Sequence, residues 1–532
     1  MKSRFAILTV LMLAPALGAG AQPVVRDFQF TKDINPYLSS SNPAFIGSWK
    51  EGKISMVEGF ARKGNGGLVS LEDSCDDFEA GAKTESFISV SEKITFYGLL
   101  SYTNFTGKDM GGPVLMDPAY NPFNFFEQTD NTIGTKNKEL YGLSGAAAYS
   151  FNSRWSAGIR FDFEGGNQAK RRDPRFLNTW LDLNLSTGLA FALSDKNVFG
   201  LNFLYRRTIE QIYGTTYGKK DENYIIWLDK GGFYGTSEAL NGNYAALAQS
   251  ENRPILNTFC GGSLQHSYNG ATKLFNELSF LARTGHYGST GNSTPTFFEF
   301  DGIEALYSGK ALIPCGRCNL HRFTLDAALK TMNNAENSYK YVTTTGGSIT
   351  TVEYTGQKSI FNSTELSADL GYSFIQGVNA IRPKAEYGAD IHFYSRDQKT
   401  NLYPYWREHN HLNINANIHS KWNFKTGEKD LLSPYVCASF FTGAGEKAKD
   451  GAATTAKPKN LKSFDTWMDK QYEYDTAARA GASLAITYTR FVSGNLSVYL
   501  TASDNFITML SEPEFLTGRT RNLAVLTIGC NF

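Results

Sequence analysis

Polar and apolar positions alternate along this chain. From Arg407 to Phe424, the positions Leu412, Ile414, Ala416, Ile418, Trp422 and Phe424 are apolar or aromatic. Between them Arg407, His409, His411, Asn413, Asn415, Asn417, His419, Lys421 and Asn423 are all polar. Successive side chains of a strand point to opposite faces. The stretch therefore predicts one long strand, greasy on one side and wet on the other. Strands of soluble proteins usually run about five or six residues, so its length sets it apart.

The device recurs. Trp155, Ala157, Ile159, Phe161 and Phe163 alternate with Ser156, Gly158, Arg160, Asp162 and Glu164. Leu366, Ala368, Leu370, Tyr372 and Phe374 alternate with Glu365, Ser367, Asp369, Gly371 and Ser373. Phe199, Leu201, Phe203 and Tyr205 share a face opposite Asn202 and Arg206. A sheet with lipid outside and water inside needs this pattern, whereas a soluble sandwich packs its apolar face on a second sheet. The pattern predicts an all-β fold, a transmembrane antiparallel up-and-down β-barrel.

Short polar turns at 91–93, 152–154, 194–196, 425–430 and 492–495 alternate with long connections at 107–138, 213–254 and 446–473. Outer-membrane barrels show this asymmetry, with short periplasmic turns and long extracellular loops. Strands are predicted near 52–63, 78–90, 94–106, 139–151, 155–167, 178–193, 197–212, 257–269, 274–287, 297–307, 319–332, 359–375, 381–396, 406–424, 431–445, 474–491, 495–508 and 519–532. That is 18 strands, or 16 without the weakest pair, 297–307 with 319–332. An even count puts both barrel termini on the periplasmic side.

The two ends of the sequence fit export to an outer membrane. Lys2 and Arg4 precede an apolar stretch from Phe5 to Leu17, which ends in Ala19-Gly20-Ala21. This is the layout of a secretory signal peptide, predicted over 1–21, and the run is too short for a helical span. At the other end Phe532, Cys530, Ile528, Leu526 and Ala524 share one strand face. This resembles the terminal signal by which barrel-assembly machinery recognises its clients, and it implies that machinery as a partner through Phe532.

Composition narrows the partners. Of the 532 residues, 14% are aromatic, and 50 are glycine against 16 proline. Mean hydropathy is −0.32. Without Lys2 and Arg4 the chain carries 50 basic and 51 acidic residues. No strong field therefore points to nucleic acid. Outer-membrane lipid is the expected surrounding.

Ahead of the first strand, 22–51 lacks strong periodicity and contains Ser41-Asn42-Pro43-Ala44-Phe45-Ile46-Gly47. Asn-Pro starts turns and Gly47 suits the end of one, so a plain turn accounts for these residues. The element also resembles the N-terminal feature of fatty-acid-transporter-type barrels and of secretion- and gliding-associated barrels of Bacteroidota. The overall layout is similar to uncharacterised Bacteroidota outer-membrane barrels. The fatty-acid-transporter resemblance implies a 14-stranded barrel with a plugged lumen. The expected division is thus a signal peptide at 1–21, a periplasmic or plug segment at 22–51, and a barrel with long extracellular loops at 52–532.

Candidate chemistry is sparse. Cys315-Gly316-Arg317-Cys318 is one C-x-x-C element without a second. A closed zinc site needs four ligands, and the periplasm is oxidising, so Cys315 and Cys318 are expected as a local disulfide. His409, His411 and His419 read as polar lumen wall together with Arg160, Asp162, Glu164, Arg206, Glu365, Asp369 and Arg407. No catalytic, metal-binding or cofactor-binding residues are expected, because no nucleophile-elbow, zincin, phosphate-loop or dinucleotide motif occurs. The aromatic loop residues Tyr120, Phe123, Phe125, Phe126, Tyr213, Tyr217, Tyr224, Trp227, Phe233, Tyr234 and Tyr244 are expected to pack at the barrel mouth or sit in the interfacial aromatic girdle, the alternative being a ligand-capturing surface. The leading function is a channel or transport-associated barrel for small solutes in a Gram-negative outer membrane. The alternatives are a non-conducting subunit of a secretion, gliding or nutrient-uptake complex, and an outer-membrane enzyme with no visible site. The chain is too short for a 22-stranded TonB-gated receptor with a plug domain.

Overall fold

The computed structural model describes residues 27–117, 120–127, 132–217, 224–239, 253–289, 294–343, 350–378, 382–455, 461–494 and 496–532. The expected signal peptide and Tyr244 lie outside them. The barrel strands are β1 (Lys53–Asn65), β2 (Asp76–Ser89), β3 (Ile94–Met110), β4 (Gly134–Ser150), β5 (Trp155–Lys170) and β6 (Arg175–Ala192). They continue as β7 (Asn197–Thr215), β8 (Ile255–Asn269), β9 (Lys273–Gly288), β10 (Thr296–Cys315), β11 (Asn319–Thr343) and β12 (Thr350–Gln376). The last six are β13 (Ala385–Leu402), β14 (Tyr405–Trp422), β15 (Asp430–Ala452), β16 (Arg479–Ser493), β17 (Leu496–Met509) and β18 (Thr520–Asn531).

Each strand pairs antiparallel with the next. β18 closes the ring on β1, in register from Met56 opposite Asn531 to Asn65 opposite Asn522. Phe532 continues this seam, exchanging backbone hydrogen bonds with Ser55 at 2.8 and 3.0 Å. An open edge would leave backbone groups unpaired in lipid, where each costs several kcal/mol. The count is 18, with one two-residue strand, Phe424–Lys425, added beside β15. Counts of 16 and 14 are thereby excluded. The pair with the weakest sequence signal, β10 and β11, is in register from Phe298–Glu336 to Cys315–Asn319.

The boundaries bring two corrections. The strand expected from 474 starts at Arg479, because Asp465–Thr476 forms a helix, α2. Its alternating Tyr472 and Tyr474 imitate a strand. β11 and β12 run well past the expected 319–332 and 359–375. At about 3.3 Å per residue they outreach a bilayer and rise beyond it on the long-loop side.

The outward face is apolar. Ile159, Leu264, Ile418, Leu484 and Ile528 are each at least 60% exposed. A face this greasy is stable only against lipid. Buried apolar clusters lie at the two ends of the lumen. At the short-turn end the N-terminal segment joins Phe28, Ile46 and Trp49 to wall residues Phe87, Tyr97 and Ala148. At the long-loop end Phe123, Phe125 and Leu228 join Tyr287, Phe298 and Phe361.

Candidate functional site

The lumen of this barrel is the candidate site, and the chain itself occupies both of its ends. At the short-turn end, residues 27–50 lie inside the ring. Asp27 caps the helix α1 (Phe28–Ile34), its carboxylate accepting from Phe30 N–H at 2.9 Å. Asn35-Pro36 and Asn42-Pro43 each open a tight 3-10 turn, at Pro36–Leu38 and Pro43–Ser48. Asn supplies the cap and Pro the preset backbone angle. The turn expected at Asn42-Pro43 is present, and it is also anchored to the wall.

Those anchors span much of the circumference. Lys32 Nζ donates to Glu85 of β2 at 2.6 Å, and Arg382 Nε pairs with Asp27 at 3.0 Å. Ser40 Oγ donates to Glu277 of β9 at 2.7 Å. Tyr37 Oη and Ser267 Oγ of β8 are 2.7 Å apart. Asn42 is completely buried, and its Nδ2 donates to Gln265 at 2.9 Å and to the Leu189 carbonyl at 3.0 Å. The wall is indented to receive it. A Cβ on Gly158 would stand 2.5 Å from the Pro43 carbonyl carbon. On Gly200 it would stand 2.5 Å from the Phe45 ring, and on Gly188 it would overlap Asn42 Oδ1. Three neighbouring strands, β5 to β7, thus use glycine as a berth.

At the opposite end the long loops fold inward. Asn124–Glu127, Ile225–Asp229, Tyr234–Ala239 and Leu461–Ser463 pair into a second, four-stranded sheet. Its roots are fixed from the wall. The Tyr120 ring lies between two guanidinium groups, Arg283 at 4.7 Å and Arg206 at 5.4 Å from its centroid. Arg206 is itself paired with Asp182 at 2.6 Å. Glu210 accepts from Met116 N–H at 2.8 Å, and Lys136 Nζ donates to the Pro113 carbonyl at 2.6 Å. Asp229 accepts from the N–H groups of Gly231 and Tyr234 at 3.0 and 3.1 Å. Burial pushes its carboxyl up to about 7 against those two bonds. Gly231 has φ of 113°, a conformation that favours glycine.

Between the two closures the inward face is polar and wet. Asp369 points inward, opposite the lipid-facing Leu366 and Leu370, yet its side chain is 59% exposed. It pairs with His392 at 2.6 Å, and His419 pairs with Asp390 at 3.1 Å.

The expected lumen residues all fall on the inward face, but they do not form one site. Arg160 pairs with Asp162 at 2.8 Å, and Glu164 is exposed beyond them. Glu365 turns to the Tyr394 hydroxyl. Arg407, His409 and His411 are buried beneath the cap, Arg407 holding Asp450 at 2.7 Å. The His409 and His411 rings are 5.7 Å apart, and His419 lies separately, further down the wall. No cluster of three metal-ligating side chains occurs among the described residues. Cys315 and Cys318 are both exposed, at the turn between β10 and β11. The loop aromatics Phe123, Phe125, Phe126, Trp227 and Tyr234 are buried in the cap, whereas Tyr217 is 73% exposed and stacks on Arg175. The glycine berth, the Tyr120 clamp and Asp229 were not singled out from the sequence. The nearest signal is Gly158, which falls between Ser156 and Arg160 on the inward face of its strand.

No curated protein sequence matches the chain. Among solved structures, it is similar to the ferric preacinetobactin receptor BauA of Acinetobacter baumannii, at 7% identity and a TM-score of 0.40, covering 90% of this chain and 79% of that one. It is also similar to the ferric-catecholate import receptor Fiu of E. coli K12, at 8% identity and 0.37, covering 90% and 81%. A TodX mutant, a monoaromatic hydrocarbon channel, gives 10% identity and 0.27, covering 92% of each chain. One family model matches residues 43–532, and by it this barrel belongs to DUF6850, a family of unknown function.

Proposed function

We propose that the protein is an outer-membrane transport barrel for small polar solutes, exported by the segment 1–21 and closed at rest by its own chain at both ends. One observation carries the reading. The polar midsection at Asp369, His392 and Asp390 is open to water, while both ends are filled by segments that are held through side chains. A structural scaffold has no need of a wet lumen between two closures, whereas a gated route does. The reading assigns no catalysis to the chain.

Planar-bilayer recording tests it. The intact protein is expected to conduct little, and a variant that lacks 22–50 and carries Tyr120→Leu to loosen the cap is expected to give discrete steps, because each closure alone fills one end of the lumen. Silence from both proteins, with the barrel shown to be folded, removes the transport reading and leaves a non-conducting subunit of a larger complex. Capture of a stable partner from detergent-solubilised outer membrane then becomes the decisive experiment.

A further inference from the structure

A cavity of about 280 Å³ lies where the cap meets the wall. One side is made by loop residues such as Asn121, Phe123 and Asp475, and the other by Phe361, Arg396 and His411 on the barrel strands. A ligand there would touch both the part that must move and the part that stays.

Three polar groups at this cavity lack partners. Asn121 is 6% exposed and His411 is 3% exposed. Asn121 Oδ1 accepts from Arg283 and Asn257, but its Nδ2 has no hydrogen-bond partner. His411 Nδ1 has none either, and nor has Arg396 Nε. Most other inward arginines hold a carboxylate, and two that do not have other partners, Arg283 with Asn257 and the Tyr120 carbonyl and Arg479 with the Phe441 and Tyr474 rings. Arg160, Arg206, Arg322, Arg407 and Arg521 each hold a carboxylate. Arg396 forms no ion pair among the described residues, although Glu365 stands opposite it in the register. Unpaired buried donors cost free energy, and a site that keeps three of them around one cavity is built to receive polar atoms.

The rest of the lining says which kind. Asn124, Gln398, Asn413 and Gln471 present amides, each both donor and acceptor. Phe123, Phe361 and Tyr394 add flat apolar faces. The charged lining is Arg396 with the carboxyls of Glu72, Asp229 and Asp475; burial pushes Glu72 and Asp229 up to about 7 and raises Asp475, so the cavity presents no strong charge of either sign. Mixed donors and acceptors beside ring faces suit a neutral solute with many hydroxyl groups and a C–H face. The volume lies just below the usual range for ligand pockets, which starts at about 300 Å³, so the ligand is small.

We infer that the cavity between cap and wall is a binding site for a neutral sugar of one or two rings, with Arg396 and Asn121 donating to its hydroxyl groups. This deepens the transport reading by naming a solute class, and it rests on that reading for the route by which the sugar arrives.

The test is ligand-observed NMR and calorimetry on the full-length protein in detergent. The probes are glucose, galactose, mannose, xylose and maltose, with gluconate and glucosamine as charged counterparts. At least one neutral sugar is expected to saturate a single site, more tightly than either charged probe. Arg396→Gln removes a charged donor and is expected to weaken binding about 10- to 100-fold. Asn121→Asp keeps the oxygen that Arg283 and Asn257 use and replaces the unpartnered N–H by a second acceptor oxygen, whose charge the Arg283 guanidinium beside it offsets. It too is expected to weaken binding. The inference is overturned if no neutral sugar saturates, if gluconate or glucosamine is preferred, or if both variants bind as tightly as the parent protein. Binding by the intact protein without conduction by the variant opened at both ends keeps the site and removes the transport reading, and conduction without binding does the reverse.

Discussion

The glycine berth can be closed from the wall side. Gly158 and Gly188 are direct partners across β5 and β6, and both face the segment from Asn42 to Ala44. Valine at either position favours a strand, so Gly158→Val and Gly188→Val leave the barrel intact while filling the space the segment needs. Overpacking of this kind costs about 1–3 kcal/mol per site. At about 1.4 kcal/mol for each factor of ten, one substitution raises the displaced population about 5- to 150-fold. The opposing anchor is of similar size. Phe45 and Ile46 are each 3% exposed, and burying two such side chains is worth about 3–6 kcal/mol together. A single valine therefore shifts the equilibrium, and the double variant competes with the anchor outright. Ala44→Cys, at a position 1% exposed, reports the outcome through its labelling rate with a membrane-impermeant maleimide, read peptide by peptide in a mass spectrometer. The rate is expected to rise in the order parent, single and double variant. Gly98→Val is the control, since a Cβ there meets nothing within 4 Å. If the double variant labels as slowly as the parent, the wall does not shape the closure and the argument fails.

Four further expectations follow from the same geometry. Tyr120→Leu removes the ring clamped by Arg206 and Arg283; two such contacts are worth about 1–4 kcal/mol, so amide exchange over 111–127 should rise at least several-fold, and unchanged exchange would remove the clamp from the account. Asp229 is held neutral by burial, so its contribution to the closed cap is complete below its ordinary value of 3.8 and is lost as pH rises through about 7. Exchange in Tyr234–Ala239, corrected for intrinsic rates, should be slower at about pH 5.5 than at about pH 8, and Asp229→Asn should flatten the difference; a difference that survives in the variant points to another group. Cys315 and Cys318 are expected to pair when the protein matures in an oxidising compartment, so both should take up maleimide only after reduction, and labelling of both without reductant would exclude the disulfide. Deleting Phe532 removes the seam bonds to Ser55 and the ring under Lys53, 4.2 Å away; the heat-modifiable folded band on a gel should fade, and a full-strength band would show the terminal residue to be dispensable for assembly.

The wall was legible in the sequence because its signal is local. Alternation at Arg407–Phe424 needs only the two-residue period of a strand, and the solvent on each face dictates residue type without reference to any neighbour. β11 and β12 were cut short for the same reason. Above the bilayer, at Asn333, Asn334 and Asn337, neither face meets lipid, and the alternation that marked the strand disappears although the pairing continues. α2 failed differently. Its one fully buried residue is Met468, 3% exposed, with the adjacent Trp467 packed on the cap aromatics, and two neighbouring positions are too few to impose a helical period on the sequence.

The closures were not legible, because each is a set of partners far apart along the chain. Asn42 is read locally as the start of a turn, and that reading is correct, yet its burial depends on Gln265 and on glycines at 158, 188 and 200. The same division runs through the cap. Tyr120 looks like any loop aromatic until Arg206 and Arg283 are placed on either side of it. One kind of local evidence does reach across this gap. Large inward side chains can face a water-filled lumen anywhere, but a glycine on the inward face of a membrane strand gives up β propensity and side-chain packing. Something must occupy the space it leaves. Where inward glycines fall on adjacent strands at one height, as Gly158, Gly188 and Gly200 do, they mark the outline of whatever the lumen holds.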